Sequence, residues 1–475
     1  MRMKTLACIC LIIASLTSAS SAFAHDDGFD TKAIQEFLHR SFDGKQAGMV
    51  IGIVDEHGSQ VFAAGKMDNG ADQEVNADTL FEIGSVTKTF TTLLLEDMVN
   101  RGEMKLDDPV EKYLPESVKV PSHGGKKITL LNLAAQDSGL PFDGTNMPQK
   151  DPRNVFAGYT ADKLYTFLSG YSLTQDPGAE FRYSNAGIAL LGNAIERKSG
   201  RDFESLVHER ICTPLHMDST YVAVPADLKP RLATGHDEDG NRHPGMILQV
   251  IIPAGGIRST ANDMLKYVSA NIGLQPSVLT PLMQKTHPIR HSRSLDLIEG
   301  SMGATAMPWY DLRAYQQPDM DFRGHGGGTA GFSAYAGFDL KRRRGVVVLS
   351  NKKTRSTCLG LRILQNASLK HADEQTAAPI YEVVGIGTSI AMDGDTKAIR
   401  IIKIIPDSPA DKAGIASGLI IQKIDDTQTT GLSLTECMKL LTGPAGSKVR
   451  LALVDAKSKE SKSVELTRQK FLVSS

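Results

Sequence analysis

The tetrapeptide Ser85-Val86-Thr87-Lys88 constrains this chain more than any other stretch. A Ser and a Lys three apart lie on one face of a helix, one turn from each other, so the amine reaches the hydroxyl. The following segment, Thr89 to Arg101, has helical spacing: Phe90, Leu93, Leu94 and Met98 recur on one side, and Gly102 stands where a C-cap belongs. Ser85 is therefore expected at a helix N-terminus, beside unpaired N–H groups and the positive end of the helix dipole. That setting suits a nucleophile whose lysine partner has lost its proton. A second Ser-x-x-Lys, Ser350 to Lys353, follows the apolar run Gly345 to Leu349, which reads as a buried strand and provides no helix to align the pair.

Two further stretches can complete such a site. Phe181-Arg182-Tyr183-Ser184-Asn185-Ala186-Gly187 precedes a helical pattern from Ile188 to Lys198 that ends at Gly200. In an extended segment, residues two apart point the same way, so Tyr183 and Asn185 would face one cavity. The other stretch, Gly324-His325-Gly326-Gly327-Gly328-Thr329-Ala330-Gly331-Phe332, opens an alternating strand pattern. Its glycines permit close backbone approach to a ligand and leave N–H groups accessible.

Together the three motifs resemble the serine β-lactamase and penicillin-binding protein superfamily, in its class C branch. That branch holds class C β-lactamases, D-alanyl-D-alanine carboxypeptidases, D-aminopeptidases and family VIII esterases. Ser85/Lys88 matches the first motif, Tyr183/Asn185 the Tyr-x-Asn motif, and His325-Gly326-Gly327 the third. Phe81 to Gly84, Leu106 to Val110, Ile128 to Pro141 and Pro253 to Met264 resemble the family's intervening stretches, so the likeness runs from about residue 30 to 370. The resemblance implies that Ser85 attacks a carbonyl to give an acyl-enzyme, with Lys88 and Tyr183 sharing the general-base and general-acid work. It further implies an oxyanion hole made by the N–H groups of Ser85 and Gly328, the residue after Gly327. Asn185 would hydrogen-bond the acyl side chain or Lys88. No cofactor and no metal are expected.

The third motif departs from the lactamases, which carry Lys where this chain has His325. A histidine is mostly neutral at pH 7 and attracts a carboxylate less than a permanent cation does. Efficient β-lactam hydrolysis is thereby put in question, while peptidase and esterase chemistry stay open. Gln136-Asp137-Ser138-Gly139 also replaces the family's usual His-Thr-Ser-Gly.

Residues 1–24 read as a secretory signal: Arg2 and Lys4 make a basic start, Leu6 to Leu16 an apolar core, and Ala22-Phe23-Ala24 a small-residue cleavage site. Its loss takes the formal charge from −1 to −3 with no basic cluster, which argues against nucleic-acid binding. No later apolar run reaches the ~18 residues of a membrane span. The remaining cysteines, Cys212, Cys358 and Cys437, are odd in number and far apart, unlike a disulfide scaffold or a metal site. An exported, periplasmic or extracellular, bacterial protein is expected.

A catalytic domain over 25–372 has a legible frame. Asp30 to Phe42 reads as an amphipathic helix. Met49 to Val54 and Gln60 to Ala64 read as strands joined across Asp55-Glu56-His57-Gly58. Phe332 to Phe338 and Gly345 to Leu349 are the returning strands, and Thr354 to Leu369 a closing helix. The expected class is α+β: an antiparallel sheet flanked by helices, with an inserted helical subdomain. Residues 373–379 read as a linker. From 380 to 475 the chain resembles a bacterial PDZ domain, on Gly385-Ile386-Gly387-Thr388, Ala398 to Ile402, Ser408 to Ile415, Gly418 to Asp425 and Leu434 to Gly446. That likeness implies strand-wise capture of a peptide or protein C-terminus, with Gly385, Ile386, Gly387 and Thr388 as the carboxylate loop. The sequence thus reads as an exported serine hydrolase with a PDZ domain. The competing reading is a catalytically inactive penicillin-binding-like scaffold that binds peptides.

Overall fold

The structure, a computed structural model, describes residues 28–148, 154–237, 239–292, 304–311, 320–370, 372, 380–392, 398–405, 408–432, 434–455, 458 and 460–474. The secretory signal and the 373–379 linker lie outside the described residues.

Helix α1 (Thr31–Phe42) starts where Asp30 caps it, the carboxylate accepting from Ala33 N, and it buries Ile34, Phe37, Leu38 and Phe42. Strands β1 (Gly48–Asp55) and β2 (Gly58–Gly65) form the expected hairpin, with Asp55 opposite Gly58 across a two-residue turn. Helices α2 (Thr87–Asn100), α3 (Asn185–Ser199) and α4 (Ala261–Asn271) follow. The chain then returns to the sheet as β3 (Phe322–Gly328), β4 (Ser333–Asp339) and β5 (Arg344–Ser350). It leaves through α5 (Ser356–Leu364), shorter than the Thr354 to Leu369 pattern suggests because Asn366 takes a left-handed φ of 52°.

The sheet is antiparallel and eight-stranded, in the order β2-β1-β5-β4-β3 followed by the two-residue strands Tyr310–Asp311, Ala304–Thr305 and His291–Ser292. The first and last long strands of the catalytic unit, β1 and β5, are thus neighbours, one strand in from the β2 edge. Both read as continuous apolar runs because helices cover both faces. Met49, Ile51, Ile53, Val346 and Val348 face the cluster built with α1 and α5. Val50, Val54, Val347 and Leu349 face the larger cluster built with α2, α3 and α4. Helix α2 is buried from Thr87 through Met98, as a helix at the centre of a domain must be.

The C-terminal unit has its own core of Ile386, Ile399, Ile401, Ile421, Ile424, Cys437, Val449, Leu451 and Leu453. Strands β6 (Ile380–Gly385) and β12 (Gln469–Ser474) pair with each other. Strands β7 (Thr388–Met392), β8 (Ile399–Ile404), β9 (Ile420–Ile424), β10 (Lys448–Val454) and β11 (Ser461–Thr467) lie in that order in a second sheet, and helix α6 (Leu434–Leu441) packs against β7 and β9. Strand β7 sits at the edge of this sheet, with β8 as its partner among the described residues. Among the described residues no helix is long and apolar enough to cross a membrane.

One packing contact bears directly on the site. Gly192 of α3 lies against Pro253, so that a Cβ at Gly192 would come 2.2 Å from the Pro253 ring. Gly→Ala within a helix ordinarily stabilises by about 1 kcal/mol. Here the stiff proline ring cannot give way, and overpacking should reverse the sign. Gly192→Ala is expected to lower stability by about 1–3 kcal/mol in denaturant titration; a more stable variant would show that α3 does not clamp the 252–255 segment.

Candidate active site

The nucleophile candidate is presented by a strained turn. Phe81-Glu82 pairs with Arg258-Ser259, and Ile83 N donates to Ile257 O, which fixes the entry to the turn. Gly84 then adopts a left-handed φ of 49°, a conformation that favours glycine. Gly84 to Val86 form one 3₁₀ turn that runs directly into α2. Ser85 is half-buried on this turn.

Lys88, on the first turn of α2, is completely buried. Its Nζ donates to Ser85 Oγ at 2.9 Å and to Ala254 O at 2.7 Å, and it lies 4.8 Å from the centre of the Tyr183 ring. Burial brings its pKa down to about 7, against the pull of the Asp143 carboxylate. Thr91 Oγ1, one turn on, donates to Pro253 O, and Thr87 Oγ1 accepts from Ile257 N. Three residues on one face of α2 thus bind the 253–257 segment, which is why Ala254 O reaches the amine.

Burial holds the Tyr183 hydroxyl far above the usual phenol range, against the opposing effect of the nearby Ser85 hydroxyl. Its ring lies between Phe142, with centroids 5.5 Å apart, and Tyr310 and His325, each at 6.4 Å. Asn185 is the first residue of α3, not part of an extended strand; Ser184 caps that helix by accepting from Gly187 N. The Asn185 amide donates to Asp143 Oδ1 at 3.0 Å, and its own N–H donates to Phe142 O at 2.7 Å.

The third motif closes the other side. Strand β3 and the Ser85 turn approach so closely that a Cβ at Gly84 would sit 2.7 Å from Gly328 N, and one at Gly327 only 2.0 Å from Ile83 O. Thr329 N donates to Phe332 O at the hairpin end. Alternation along an antiparallel ladder then turns Gly328 N–H away from β4, toward the Ser85 turn. His325 is buried beneath this surface: Nδ1 donates to Gly326 O at 2.6 Å, while Nε2 is a buried acceptor with no partner among the described residues. Tyr310 packs against the imidazole in a tilted arrangement, with centroids 4.8 Å apart. Burial, and then the nearby Lys88, push the His325 pKa down to about 3.

The structure therefore gathers Ser85, Lys88, Tyr183, Gly327 and Gly328 around one point, with His325 behind them and Asn185 to one side. Sequence reasoning did not find Asp143, Tyr310, Phe142 or Ala254 O. Asp143 lies just beyond the Ile128 to Pro141 stretch and belongs to no short motif, and the others reach the site only through long-range contacts. In the C-terminal unit, Gly385 ends β6, and Ile386 and Gly387 lead into Thr388 of β7. Ile386 O and Gly387 O accept from Ala410 N and Ile405 N. Among the described residues neither Ile386 N–H nor Gly387 N–H donates to a backbone carbonyl.

Comparison with known proteins gives the family of the chain. The family model described as beta-lactamase matches residues 31–367. The chain belongs to the beta-lactamase family. It is class C-like, and a PDZ domain model matches residues 376–454 at its C-terminal end. A beta-lactamase of Escherichia coli K12 is 30% identical over 382 residues, covering 74% of this chain and 94% of the relative. The D-alanyl-D-alanine-carboxypeptidase/endopeptidase AmpH of the same organism is 30% identical over 261 residues, 54% of this chain and 66% of its own. The solved D-alanine carboxypeptidase AmpC from Burkholderia cenocepacia aligns with a TM-score of 0.57 at 28% identity, over 71% of this chain and 97% of that one. The protein is accordingly a hydrolase related to beta-lactamases and D-Ala carboxypeptidases, with a PDZ domain.

The contact between Gly84 and Gly328 gives a direct test of the site's shape. Gly84→Ala would force a side chain into the Gly328 backbone and penalise the left-handed turn. Labelling of Ser85 by a fluorophosphonate is expected to slow by roughly 10²-fold or more, as when an oxyanion donor is lost. An unchanged labelling rate would show that this close approach does not shape the site.

Proposed function

We propose that this protein is an exported bacterial serine hydrolase that works through an acyl-enzyme on Ser85. The observation that carries the reading is Lys88: a buried amine 2.9 Å from Ser85 Oγ whose pKa falls to about 7, so that near neutrality it exists in part as a free base. As Ser85 Oγ attacks a substrate carbonyl, its proton passes to Lys88. Tyr183, held as a neutral phenol, is suited to relay that proton to the leaving atom rather than to stand as a second base. The N–H groups of Ser85 and Gly328 would stabilise the oxyanion, and collapse of the intermediate breaks the bond to the leaving group. Water then adds to the acyl carbon, the ester bond to Oγ breaks, and Ser85 recovers its proton.

Substrates of this chemistry are esters, amides, peptides of the D-Ala type or β-lactams. Asn185 and Gly327 complete the cleft wall in this reading, with Asn185 held by Asp143 and His325 buried behind it. The PDZ domain would add an extended peptide to the free edge of β7, its terminal carboxylate resting on the Gly385 to Thr388 loop. Such docking raises the local concentration of a partner without altering the chemical step.

A fluorophosphonate or a fluorescent penicillin should become covalently attached to Ser85, located by peptide mapping. Ser85→Ala should abolish that attachment and cut ester turnover by on the order of 10³-fold or more with little change in Tm. Attachment at another serine would refute the assignment, and a wild-type protein that no acylating reagent modifies would favour the PDZ-bearing scaffold.

A further inference from the structure

Several buried or half-buried carboxylates in this fold have a guanidinium beside them. Asp68 is held by Arg242, Asp97 by Arg101 and Arg210, and Glu82 by Arg258. Asp143 is different. Its Oδ1 accepts from Asn185, while Oδ2 has no hydrogen-bond partner among the described residues. The one cation acting on it there is Lys88, whose amine is already committed to Ser85 and Ala254 O.

The position is fixed firmly. Phe142 O accepts from Asn185 N and, at 3.3 Å, from Ala186 N, which locks residues 142–143 to the N-terminus of α3, two residues from Tyr183. The Phe142 side chain is 56% exposed and stacks on Tyr183, making an apolar lip over the reactive centre. Around Gly144, the hydroxyl of Tyr159 and Oδ1 of Asn146 are buried without partners among the described residues. On the opposite wall the third motif supplies no charge to balance it. His325 is buried and neutral, and the space a side chain would take at Gly326 is filled by the Thr357 hydroxyl, 2.2 Å from that point.

We propose that Asp143 sets the substrate class of the Ser85 site: it receives an ammonium group carried next to the scissile carbonyl, so the enzyme prefers aminoacyl esters or amides with a free amine over neutral or carboxylate-bearing analogues. This rests on the acyl-enzyme reading of Ser85. A carboxylate with one uncommitted oxygen and no guanidinium offers a charge-assisted hydrogen bond to an incoming ammonium and repels an anion. The α-amine of an aminoacyl group, with a pKa near ~7.7–8.0, is largely protonated at pH 7. Its charge would also favour the neutral form of Lys88, which the first proton transfer requires.

The test is a charge series read on the full-length protein at pH 7. The substrates are alanine methyl ester (cationic), N-acetyl-alanine methyl ester (neutral) and N-succinyl-alanine methyl ester (anionic). The wild type is expected to show kcat/KM falling in that order, with at least about a tenfold step from cationic to neutral. In Asp143→Asn the cationic-to-neutral ratio should collapse to within about threefold. A flat or reversed series in the wild type overturns the proposal, and so does a preference that Asp143→Asn retains. Should that variant not fold, wild-type labelling by a fluorophosphonate decides: propylammonium should slow it and propanol at equal concentration should not, whereas equal effects overturn the proposal. The same labelling separates the two levels. A labelled Ser85 with a flat series sinks the role of Asp143 alone, and an unlabelled Ser85 sinks both.

Discussion

Everything at this site depends on one lysine amine placed where water cannot reach it. An isolated ammonium is costly to bury, and a protein relieves the cost by pairing the charge or by releasing the proton. Among the described residues Lys88 has no carboxylate in contact. It has a hydroxyl, one backbone carbonyl and the face of an aromatic ring. A neutral amine suits those neighbours well: one N–H still satisfies Ala254 O, and once the proton is gone the lone pair can accept from the Ser85 hydroxyl to which the ammonium form donates. The surrounding architecture keeps those partners in place. Thr87 and Thr91 bind the 253–257 segment to α2, Gly84 allows the turn that aims Ser85 back at the amine, and Tyr183, just before α3, covers the amine with its ring.

His325, standing where the resemblance to the lactamases would place a lysine, leaves this strand without a cation in the cleft. A lysine there would be a second cation close to Lys88. The imidazole instead fills the space as an apolar, neutral ring packed against Tyr310, and its Nδ1–H is used internally on Gly326 O. The negative charge of Asp143 then faces a site with little opposing charge from this strand. In the proposed mechanism, chemistry and selectivity would thereby be separable: Ser85, Lys88 and Tyr183 would act on the carbonyl, while Asp143 and the third motif would govern what is carried beside it.

Much of this was legible in the chain. Periodicity located α1, α2 and α3 to within a few residues, and the apolar runs of β1 and β5 announced a sheet covered on both faces. The three short motifs named the residues that meet, because each is local: a helical i,i+3 pair, a helix start and a glycine-rich strand. What stayed hidden is what depends on distant chain segments. Asn185 opens a helix rather than continuing a strand because Ser184 caps it, and so its amide turns toward Asp143. His325 reads from sequence as a weak substrate cation, yet strand β3 turns it inward beneath Tyr183 and Tyr310, where burial keeps it neutral. Asp143 carried no signal, since nothing local distinguishes an aspartate after Pro141-Phe142 from any loop aspartate.

The central claim, that Lys88 is poised to shed its proton near neutrality, can be measured without any substrate. Lysine side chains labelled with ¹³C at the carbon next to the amine report protonation directly by NMR. The account predicts one resonance titrating at about 7, absent from Lys88→Met, against a background of lysines near ~10.4. The sign follows from burial: desolvation favours the neutral amine, so the proton leaves as pH rises through 7 rather than through 10. If every lysine resonance titrates near ~10.4, Lys88 is a buried cation, and the free-base mechanism on Ser85 is contradicted.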